Sequence, residues 1–433
     1  MKVAVVLFTR DLRVHDNPAL SAAARAAERV VPLFVHDPAI RAGERRRRFL
    51  DGCLADLKAS LRRRGADLAE LRGDPVTEAV RVAKAVGAEG IGLATDVSGY
   101  ARHRERRLRQ ACDAERIALK TFPGVTVVPP DALRPSGGGD HYKVFTPYWR
   151  AWQAQRHREV EGAPRTLRLP DAPPDALPAS WFADRPAGQD GAGGESAGRR
   201  RLTAWLPQLS GYEDDHDAMA ADRTSRLSPY LHFGCVSPGE VAARAAGRPG
   251  AEPFVRQLCW RDFYQQVLYG FPDLRHQAYR STAQEAWRDE SDALQAWREG
   301  HTGVPVVDAG MRQLLTEGWM HNRARLITAS YLTKHLGVDW RAGGDHFFDL
   351  LLDADVGNNY GNWQWVAGTG NDTKPYRRFN PVRQGHRFDP QGDYVRRYVP
   401  ELAGVEGRAV HEPWTLPEAR RRQLDYPAPL VLP

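Results

Sequence analysis

Along the first 130 residues, short apolar runs alternate with segments whose apolar residues recur at helical spacing. The apolar runs predict buried strands at residues 3–8, 30–36, 68–71, 91–94 and 119–122. Between them, the spacing predicts helices over residues 17–29, 49–64, 76–86 and 100–116. Alternation of this kind is typical of an α/β domain with a doubly wound, Rossmann-like parallel sheet.

The rest of the chain has a different pattern. Residues 162–199 are rich in Pro, Ala, Gly and Asp, which predicts a linker. Helical spacing then dominates from residue 204 to about 341, and the Gly, Pro and Asn residues of 371–398 predict a surface loop. We therefore expect three parts, namely an α/β domain at 1–130, an interdomain linker at 131–203 and an all-α domain at 204–433.

Composition limits the class of protein. Hydrophobic residues make up 42% and charged residues 27% of the 433 residues, which is typical of a soluble globular protein. No apolar run approaches the roughly 20 residues that span a bilayer, and the N-terminus lacks the pattern of a signal peptide. We expect a cytoplasmic protein that has no membrane partner. The four cysteines are far apart, which favours buried thiols over a disulfide framework or a zinc site.

Charge and aromatic content add a hint of function. The formal net charge is +7, and Arg supplies most of the cations, which suits bidentate contacts with phosphate. An Arg bias can also reflect genome composition, so the charge alone is weak evidence for a polyanionic partner. The 12 Trp residues are more informative about function, because nine of them lie beyond residue 200, which is more aromatic content than an ordinary core requires.

Two clusters in the helical region could bind a nucleotide-like group. Residues 223–228 (RTSRLS) precede Pro229, where hydroxyls either cap a helix, the commoner role, or bind a pyrophosphate together with Arg226. In residues 254–264 (FVRQLCWRDFY), polar and aromatic residues recur on one helical face. That face is either a buried aromatic stripe or a surface that stacks and hydrogen-bonds a flat base.

Two further clusters lie downstream. Asn322 and Arg325 are one helical turn apart and could converge on one ligand, whereas we assign His321 no role. Asp353 and Asp355 could bind a metal, cap a helix or hydrogen-bond a heteroaromatic cofactor with its ribose. The Asn pair and the WQW sequence that follow favour the cofactor. We expect no metal site, and the scarcity of acid–base machinery favours electron transfer by a cofactor.

Six motifs in register make the assignment specific. These are FTRDLRVHDNPAL (8–20), YKVFTPYW (142–149), TSRLS (224–228), WRDFY (260–264), GWMHNRAR (318–325) and DADVGNNYGNWQW (353–365). Together they resemble the photolyase/cryptochrome family, most closely the class I cyclobutane pyrimidine dimer photolyases. The resemblance extends from about residue 3 to the end of the chain.

The resemblance implies an antenna domain followed by a helical domain that binds FAD. The implied FAD ligands are Tyr212, Thr224, Ser225, Arg226, Leu227, Ser228, Phe254, Arg261, Asn322, Arg325, Asp353, Asp355 and Asn359. Asn359 matches the residue that faces the flavin N5, where repair enzymes typically carry Asn. Trp363, Trp340 and Trp287 match the chain of tryptophans that relays an electron to photoexcited flavin.

The implied substrate is UV-damaged DNA with the pyrimidine dimer flipped out of the helix, and photolyases are an established example of base flipping. The implied contacts to the dimer and to the DNA are Gln257, Trp260, Arg261, Tyr264, Asn322, Arg323, Trp365 and Gln384. Excited reduced FAD would donate an electron to the dimer, which splits and returns it. We expect a monomer with no obligate protein partner.

Departures from the family pattern refine the expectation. Gln257 stands where many relatives have a Glu that hydrogen-bonds the dimer, so Gln257 bears on repair efficiency. The 6-4 photolyases carry His at the positions of Asn322 and Leu326, which argues against 6-4 repair here. The alternative function is a cryptochrome-like blue-light photoreceptor that does not repair DNA, although the short C-terminus and Asn359 favour repair.

The resemblance also bears on a second, light-harvesting chromophore. Tyr100 replaces the Glu that grips the pterin in folate-binding relatives, which makes methenyltetrahydrofolate the less favoured antenna. The resemblance to proteins that bind 8-hydroxy-5-deazaflavin is greater than that to folate binders around four residues, Phe34, Asp37, Asp96 and Arg104. We therefore expect the deazaflavin.

Overall fold

A computed structural model describes residues 1–171, 177–183, 193–281 and 286–432. The chain forms two compact units, each described here by itself. Unit 1 comprises residues 1–210 and 225–272, and unit 2 comprises residues 211–224 and 273–433. Unit 1 therefore includes residues 225–272, which the sequence analysis assigns to the helical domain.

Unit 1 is built on a sheet of five parallel strands in the order β3-β2-β1-β4-β5. The strands are β1 (Val3–Phe8), β2 (Arg29–His36), β3 (Ala69–Arg72), β4 (Gly90–Ala94) and β5 (Ala118–Phe122). The central strand β1 is buried along its whole length, as expected where helices cover both faces of a parallel sheet. The predicted doubly wound α/β fold is confirmed.

The helices between the strands begin at residues suited to capping. They are α1 (Pro18–Ala26), α2 (Glu44–Arg62), α3 (Pro75–Ala85) and α4 (Gly99–Ala114). Asn17, Asp74 and Ser98 each accept a hydrogen bond from a free amide of the first turn, and Pro opens α1 and α3. Two predicted boundaries were wrong. Helix α1 ends at Ala26 and not at residue 29, because Arg29 already pairs in β2. Helix α2 begins at Glu44, five residues before the predicted start at residue 49, and so includes an Arg run.

The remaining five helices of unit 1 are α5 (Phe145–Ala154), α6 (Glu195–Trp205), α8 (Ser228–His232), α9 (Pro238–Ala245) and α10 (Ala251–Gly270). Helix α5 lies within the predicted linker at 131–203, and α6 begins within it. Leu167 is buried, and Trp181 and Phe182 pack against the core under the sheet. Residues 172–176 and 184–192 of the same segment lie outside the described residues.

Unit 2 is helical throughout its described part, as predicted. Its helices are α7 (Tyr212–Asp215), α11 (Ser291–Glu299), α12 (Pro305–Glu317), α13 (Asn322–Ser330), α14 (Trp340–Leu350), α15 (Val356–Ala367), α16 (Pro381–Phe388), α17 (Asp393–Tyr398) and α18 (Glu418–Arg421). A π-helical turn, Tyr331–His335, follows α13. Large aromatic side chains fill the core, among them Trp297, Tyr331, Trp340, Tyr360 and Tyr394.

The prediction of a surface loop over residues 371–398 holds for 371–380, which form no helix or strand, but was wrong beyond them, since α16 and α17 follow. The Asn and Pro residues taken as loop signals start a helix here. Asn380 accepts from the amide of Arg383, and Pro381 opens α16. Gly392, at φ 79°, leads into α17, whose Tyr394 and Val395 are buried.

All four cysteines are buried free thiols, as predicted. Within the described ranges, no helix is both long and apolar enough to cross a bilayer.

Candidate active site

The predicted site residues belong to both units. Unit 1 contains the predicted ligands 225–228, Phe254, Gln257, Trp260, Arg261 and Tyr264, together with the antenna residues. Unit 2 contains Tyr212, Thr224, Trp287, Asn322, Arg323, Arg325, Trp340, Asp353, Asp355, Asn359, Trp363, Trp365 and Gln384.

In unit 2, the two aspartates of the DAD sequence have different roles. Asp353 forms a bidentate ion pair with Arg325, whose Nη1 and Nη2 lie 3.1 and 2.8 Å from the carboxylate oxygens. Asp355 is the N-cap of α15 and accepts from the amide of Asn358 at 2.8 Å. The helix-capping interpretation therefore holds for Asp355. Among the described residues, no group of His, Cys, Asp and Glu is arranged to hold a metal ion.

Helix α15 also fixes Asn359. Its side-chain Nδ2 donates to the carbonyl of Gly344 at 2.8 Å, and the residue is 8% exposed. This bond leaves the Oδ1 atom as the acceptor end of a side chain with a fixed orientation. Asn359 is thus a rigid, nearly buried amide one turn along from the cap at Asp355.

The side chain of His321 has a structural part in unit 2. It is the N-cap of α13, where Nδ1 accepts from the amide of Arg323 at 3.1 Å. Arg323 in turn forms an ion pair with Asp217, and its guanidinium lies 4.2 Å from the Phe388 ring centre. An accepting Nδ1 requires a neutral ring, and burial lowers the pKa of His321 to about 4.

Acidification is expected to destabilise the protein through such histidines. Burial lowers the pKa of both His321 and His411 to about 4, whereas an unfolded chain binds these protons near pH 6.5. The unfolded state therefore gains protons first, and each group costs about 2 kcal/mol of stability between pH 7 and pH 5. Urea denaturation of His411→Gln should show a smaller loss over this range than the wild type or the exposed control His103→Gln. Equal losses in all three would contradict the prediction.

Tryptophans are concentrated in the core of unit 2. Trp363 is almost fully buried, and its ring centre lies 5.0 Å from that of Phe347 and 5.9 Å from that of Trp297. Trp340 is fully buried and Trp287 is half-buried. Gly343 lets the α14 backbone approach the Trp363 ring, because a Cβ atom there would lie 2.2 Å from Cη2. Sequence reasoning assigned no role to Trp297, the tryptophan seen in contact with Trp363.

Other predicted residues of unit 2 are less enclosed. Trp365 is half-buried, and the guanidinium of Arg377 lies 5.2 Å from its ring centre. Gln384 has a buried Oε1 atom that no described residue hydrogen-bonds. The same holds for the Oγ1 atom of Thr224, the first residue of the TSRLS motif.

In unit 1, helix α10 carries the predicted polar and aromatic face. Gln257 is exposed, Trp260 and Arg261 are half-buried, and Tyr264 is buried. The Trp260 ring stacks on Phe145 with ring centres 3.6 Å apart and planes 3° from parallel. This contact holds the indole flat and in a fixed orientation, as a stacking surface requires.

Arg261 turns inward from the same helix. Its Nη1 donates to the carbonyl of Val125 at 2.5 Å and its Nη2 to that of Leu231 at 3.3 Å. The neighbouring Asp262 is fully buried, and one of its oxygens accepts from the amides of Val127 and Val128 and from the indole of Trp152. Arg261 and Asp262 therefore tie α10 to the segment that follows β5.

The TSRLS segment does not cap its helix in the expected way. The N-cap of α8 is Leu227, whose side chain offers no acceptor. The Leu227 amide donates to Ser225 Oγ, but at 3.4 Å this hydrogen bond is long. Arg226 adopts a left-handed conformation with φ 48°, which is uncommon for a residue other than Gly. Within unit 1, Phe254 is buried beside Trp205, with ring centres 6.0 Å apart.

Phe34 and Asp37 lie at or just after the carboxyl end of β2 and Asp96 just after that of β4, where doubly wound folds bind ligands, whereas Arg104 lies within α4. Asp96 follows β4 and pairs with Arg10 after β1 at 3.2 Å. Burial opposes ionisation of Asp96, but Arg10 and the Ser98 amide outweigh burial and lower its pKa. Arg104 is 7% exposed, yet its Nε and Nη2 atoms have no hydrogen-bond partner among described residues. Asp37 Oδ2 is likewise buried without one.

Comparison with known proteins assigns the chain to a family. Residues 4–170 match the family model described as DNA photolyase, and residues 254–432 match that of the FAD binding domain of DNA photolyase. The chain is 53% identical to the deoxyribodipyrimidine photo-lyase of Streptomyces griseus, over 100% of this chain and 96% of that protein. This chain belongs to the photolyase/cryptochrome family.

Solved structures agree with this assignment. A bacterial class III photolyase from Agrobacterium tumefaciens superimposes with a TM-score of 0.91 at 33% identity, covering 100% of this chain and 94% of that one. A cryptochrome from Synechocystis sp. PCC6803 gives a TM-score of 0.90 at 30% identity, covering 100% of this chain and 96% of that one. The resemblance inferred from the six motifs is confirmed.

Proposed function

We propose that this protein is a light-driven lyase that repairs cyclobutane pyrimidine dimers in DNA. The observation that carries the proposal is the 53% identity, over the whole chain, to a deoxyribodipyrimidine photo-lyase. The protein would act as a cytoplasmic monomer on UV-damaged DNA without an obligate protein partner.

The polar groups of unit 2 suit FAD. Thr224 presents a buried hydroxyl that no described residue satisfies, which is the state expected of a group that bonds a ligand. The Asp353–Arg325 pair and the oriented amide of Asn359 add a carboxylate, a guanidinium and a carbonyl oxygen. These groups match the ribose hydroxyls, the phosphates and the flavin ring of FAD in hydrogen-bonding type. Tyr212, Asn322 and Asp355 complete the proposed ligands from this unit.

When it is bound, reduced and excited by light, FAD supplies the electron that splits the cyclobutane ring. The chain positions the reactants and excludes water. Asn359 cannot rotate freely, because its Nδ2 is held by Gly344, so its Oδ1 would stay directed at one position of the flavin. Trp363, with Trp340 and Trp287, would return the flavin to its reduced form.

Helix α10 would provide the surface for the dimer. The Trp260 indole, held flat by Phe145, would stack against a pyrimidine ring, and exposed Gln257 would hydrogen-bond the base edge. Asn322 and Leu326 stand where 6-4 photolyases carry histidines, which supports the cyclobutane dimer as substrate. Arg323, Trp365 and Gln384 are proposed as further DNA contacts.

The function is tested with an oligonucleotide that carries one thymine cyclobutane dimer. The purified, reduced protein should restore the thymines in blue light and leave the dimer intact in darkness. A persistent dimer, with FAD bound and photoreducible, would contradict repair and favour a photoreceptor. A matched oligonucleotide with a 6-4 photoproduct should remain unrepaired.

Substitution of Trp260 tests the proposed stacking surface. Trp260→Ala is expected to weaken binding of the dimer-containing oligonucleotide roughly ten- to hundredfold, because one base–aromatic stack contributes about 1–3 kcal/mol. Trp260→Phe should retain much of the affinity. Fluorescence anisotropy would measure both, with undamaged duplex as the control. Unchanged affinity in the Ala variant would remove Trp260 from the substrate surface.

We further propose that the antenna chromophore is 8-hydroxy-5-deazaflavin, held by unit 1. The flat ring of this chromophore carries carbonyl acceptors and an N–H donor. These suit the buried, unsatisfied donors of Arg104 and the acceptor Oδ2 of Asp37. Asp96 and Phe34 would contact the same ligand, whereas methenyltetrahydrofolate is less favoured because Tyr100 is exposed and is not acidic.

The antenna proposal predicts a selective loss. Arg104→Gln should weaken binding of the deazaflavin at least roughly tenfold, since a charge-assisted hydrogen bond contributes about 1.5–3 kcal/mol. The exposed neighbour Arg106→Gln should have no effect, and the flavin absorbance of both variants should match the wild type. Reconstitution followed by absorbance titration measures the affinity. Equal binding by both variants, or preferential uptake of methenyltetrahydrofolate, would overturn the assignment.

A further inference from the structure

A strongly cationic groove in unit 1 has no part in the proposed reaction. It has a volume of about 690 Å³. Five arginines line it, contributed by three parts of the unit: Arg63 and Arg64 at the end of α2, Arg199 and Arg200 in α6, and Arg244 in α9. His15, Ser60 and Thr203 are among the other lining residues.

Three of these arginines form no ion pair with a carboxylate of the described residues. Arg64 donates from Nε to the carbonyl of Pro164 at 3.1 Å and from Nη1 to that of Ser60 at 2.7 Å. Arg63 donates to Ser60 Oγ at 2.9 Å. Neither these two residues nor Arg200 forms an ion pair with any described residue. Neutral oxygens thus fix Arg63 and Arg64 in place while their positive charges stay available.

Two carboxylates offset only part of the charge. Buried Glu240 pairs with Arg199 at 3.0 Å and lies 3.5 Å from Arg244. Buried Glu195 accepts from the backbone amides of Val14 and His15 and from the His15 ring. Five guanidinium groups against two carboxylates leave three positive charges in one concave surface. Burial lowers the pKa of Arg64; the nearby Glu195 acts in the opposite direction, and the nearby Arg63 lowers the pKa further.

We propose that this groove binds a small oligophosphate ligand, either the polyphosphate tail of a nucleotide or inorganic polyphosphate. Guanidinium forks match phosphate oxygens in bidentate geometry, and three uncompensated charges suit a di- or triphosphate. The volume falls within the roughly 300–1,000 Å³ of small-molecule sites. The hydroxyl of Thr203 adds a neutral group at the rim, although it already accepts from Arg244 at 2.8 Å.

The groove differs from a surface for nucleic acid. A duplex backbone needs cations spread along an extended face, because its charges are spaced along the helix axis. Here the cations surround one concavity, and the observations therefore favour a compact anion. The proposal is independent of the repair reaction, since none of the lining residues is a proposed FAD, antenna or substrate contact.

The test is a calorimetric titration of the FAD-bound protein with tripolyphosphate and, separately, with ATP. Arg63→Gln/Arg200→Gln removes two exposed cations without disturbing a buried ion pair. This variant should bind tripolyphosphate at least roughly tenfold more weakly. Arg41→Gln/Arg106→Gln removes the same charge from exposed positions outside the groove and should change the affinity less than twofold. Light-dependent repair should be unaltered in both variants, which separates this site from the proposed function.

The two probes distinguish the sources of the phosphate. Equal affinity for tripolyphosphate and ATP would assign an inorganic chain, and tighter binding of ATP would assign a nucleotide. Absence of saturable binding, or equal weakening in the two double variants, would overturn the proposal. So would a result in which Arg63→Gln/Arg200→Gln loses affinity for undamaged duplex DNA but keeps that for tripolyphosphate.

Discussion

Trp363→Phe is expected to slow photoreduction of bound, oxidised FAD by an order of magnitude or more, which is about 1.4 kcal/mol or more in activation free energy. Phenylalanine preserves the packing against Phe347 and Gly343 but is far harder to oxidise than tryptophan. Flash photolysis with an external reductant measures the rate. Repair by chemically reduced protein should persist, because the predicted relay serves only to reduce the flavin.

Controls identify the path of the electron. Trp340→Phe should slow photoreduction as Trp363→Phe does, whereas Trp414→Phe should not. Trp297→Phe is the sharper control, because Trp297 touches Trp363 but lies outside the predicted relay. Loss of photoreduction in Trp297→Phe together with retention in Trp340→Phe would show that the predicted relay is wrong.

Asp262→Ala is expected to destabilise the protein by roughly 3–5 kcal/mol, because it leaves buried donors without an acceptor. One carboxylate oxygen accepts from the amides of Val127 and Val128 at 2.9 and 3.0 Å and from Trp152 Nε1 at 3.0 Å. Asp262→Asn retains such an oxygen and should cost much less. Chemical denaturation at pH 7 measures both variants. Equal losses would show that the charge, rather than the acceptor, stabilises the unit.

The same residue has a pH signature. Burial raises the pKa of Asp262 to about 6, although Arg261 acts in the opposite direction. A raised pKa means that the folded protein holds this proton more tightly than the unfolded chain. The stabilisation that comes from this tighter proton binding is therefore complete below the ordinary pKa of 3.8 and is lost as the pH rises through 6, whereas the hydrogen bonds that Asp262 accepts remain. Asp262→Asn should lack this loss.

The strands of unit 1 could be predicted from the sequence because short, continuous apolar runs bounded by turn residues are typical of buried parallel strands. The segment 371–398 could not, since Asn380 and Pro381 signal a helix start as well as a loop. The start of α6 was hidden in the Pro- and Gly-rich composition of residues 162–199. Helix α5 precedes that segment and was included in the predicted linker, although its Trp149 and Trp152 are buried. Composition averages over a window and misses a short helix held by tertiary contacts.

At the candidate site, motifs identified residues but not their partners. The spacing of Asn322 and Arg325 places them one turn apart in α13, yet only the fold pairs Arg325 with Asp353, 28 residues away. Asp262 escaped notice because a charged residue on a helix ordinarily faces solvent, and the amides that donate to it come from a distant segment. Contacts between residues remote in sequence depend on topology, which residue spacing alone does not encode.

The division of unit 1 into residues 1–210 and 225–272 has a consequence for biosynthesis. The ribosome adds every residue of this unit before it reaches Asp273, so the nascent chain can complete the sheet and α10 once these residues have left the exit tunnel, while the rest of unit 2 is still being translated. At about 5–20 residues per second, residues 273–433 take roughly 10–30 seconds longer to synthesise. Unit 2, which also includes residues 211–224, can therefore complete its fold only after all of unit 1 has been synthesised. Asp262, which joins α10 to the segment after β5, lies early enough in the chain to stabilise that neighbour before translation ends.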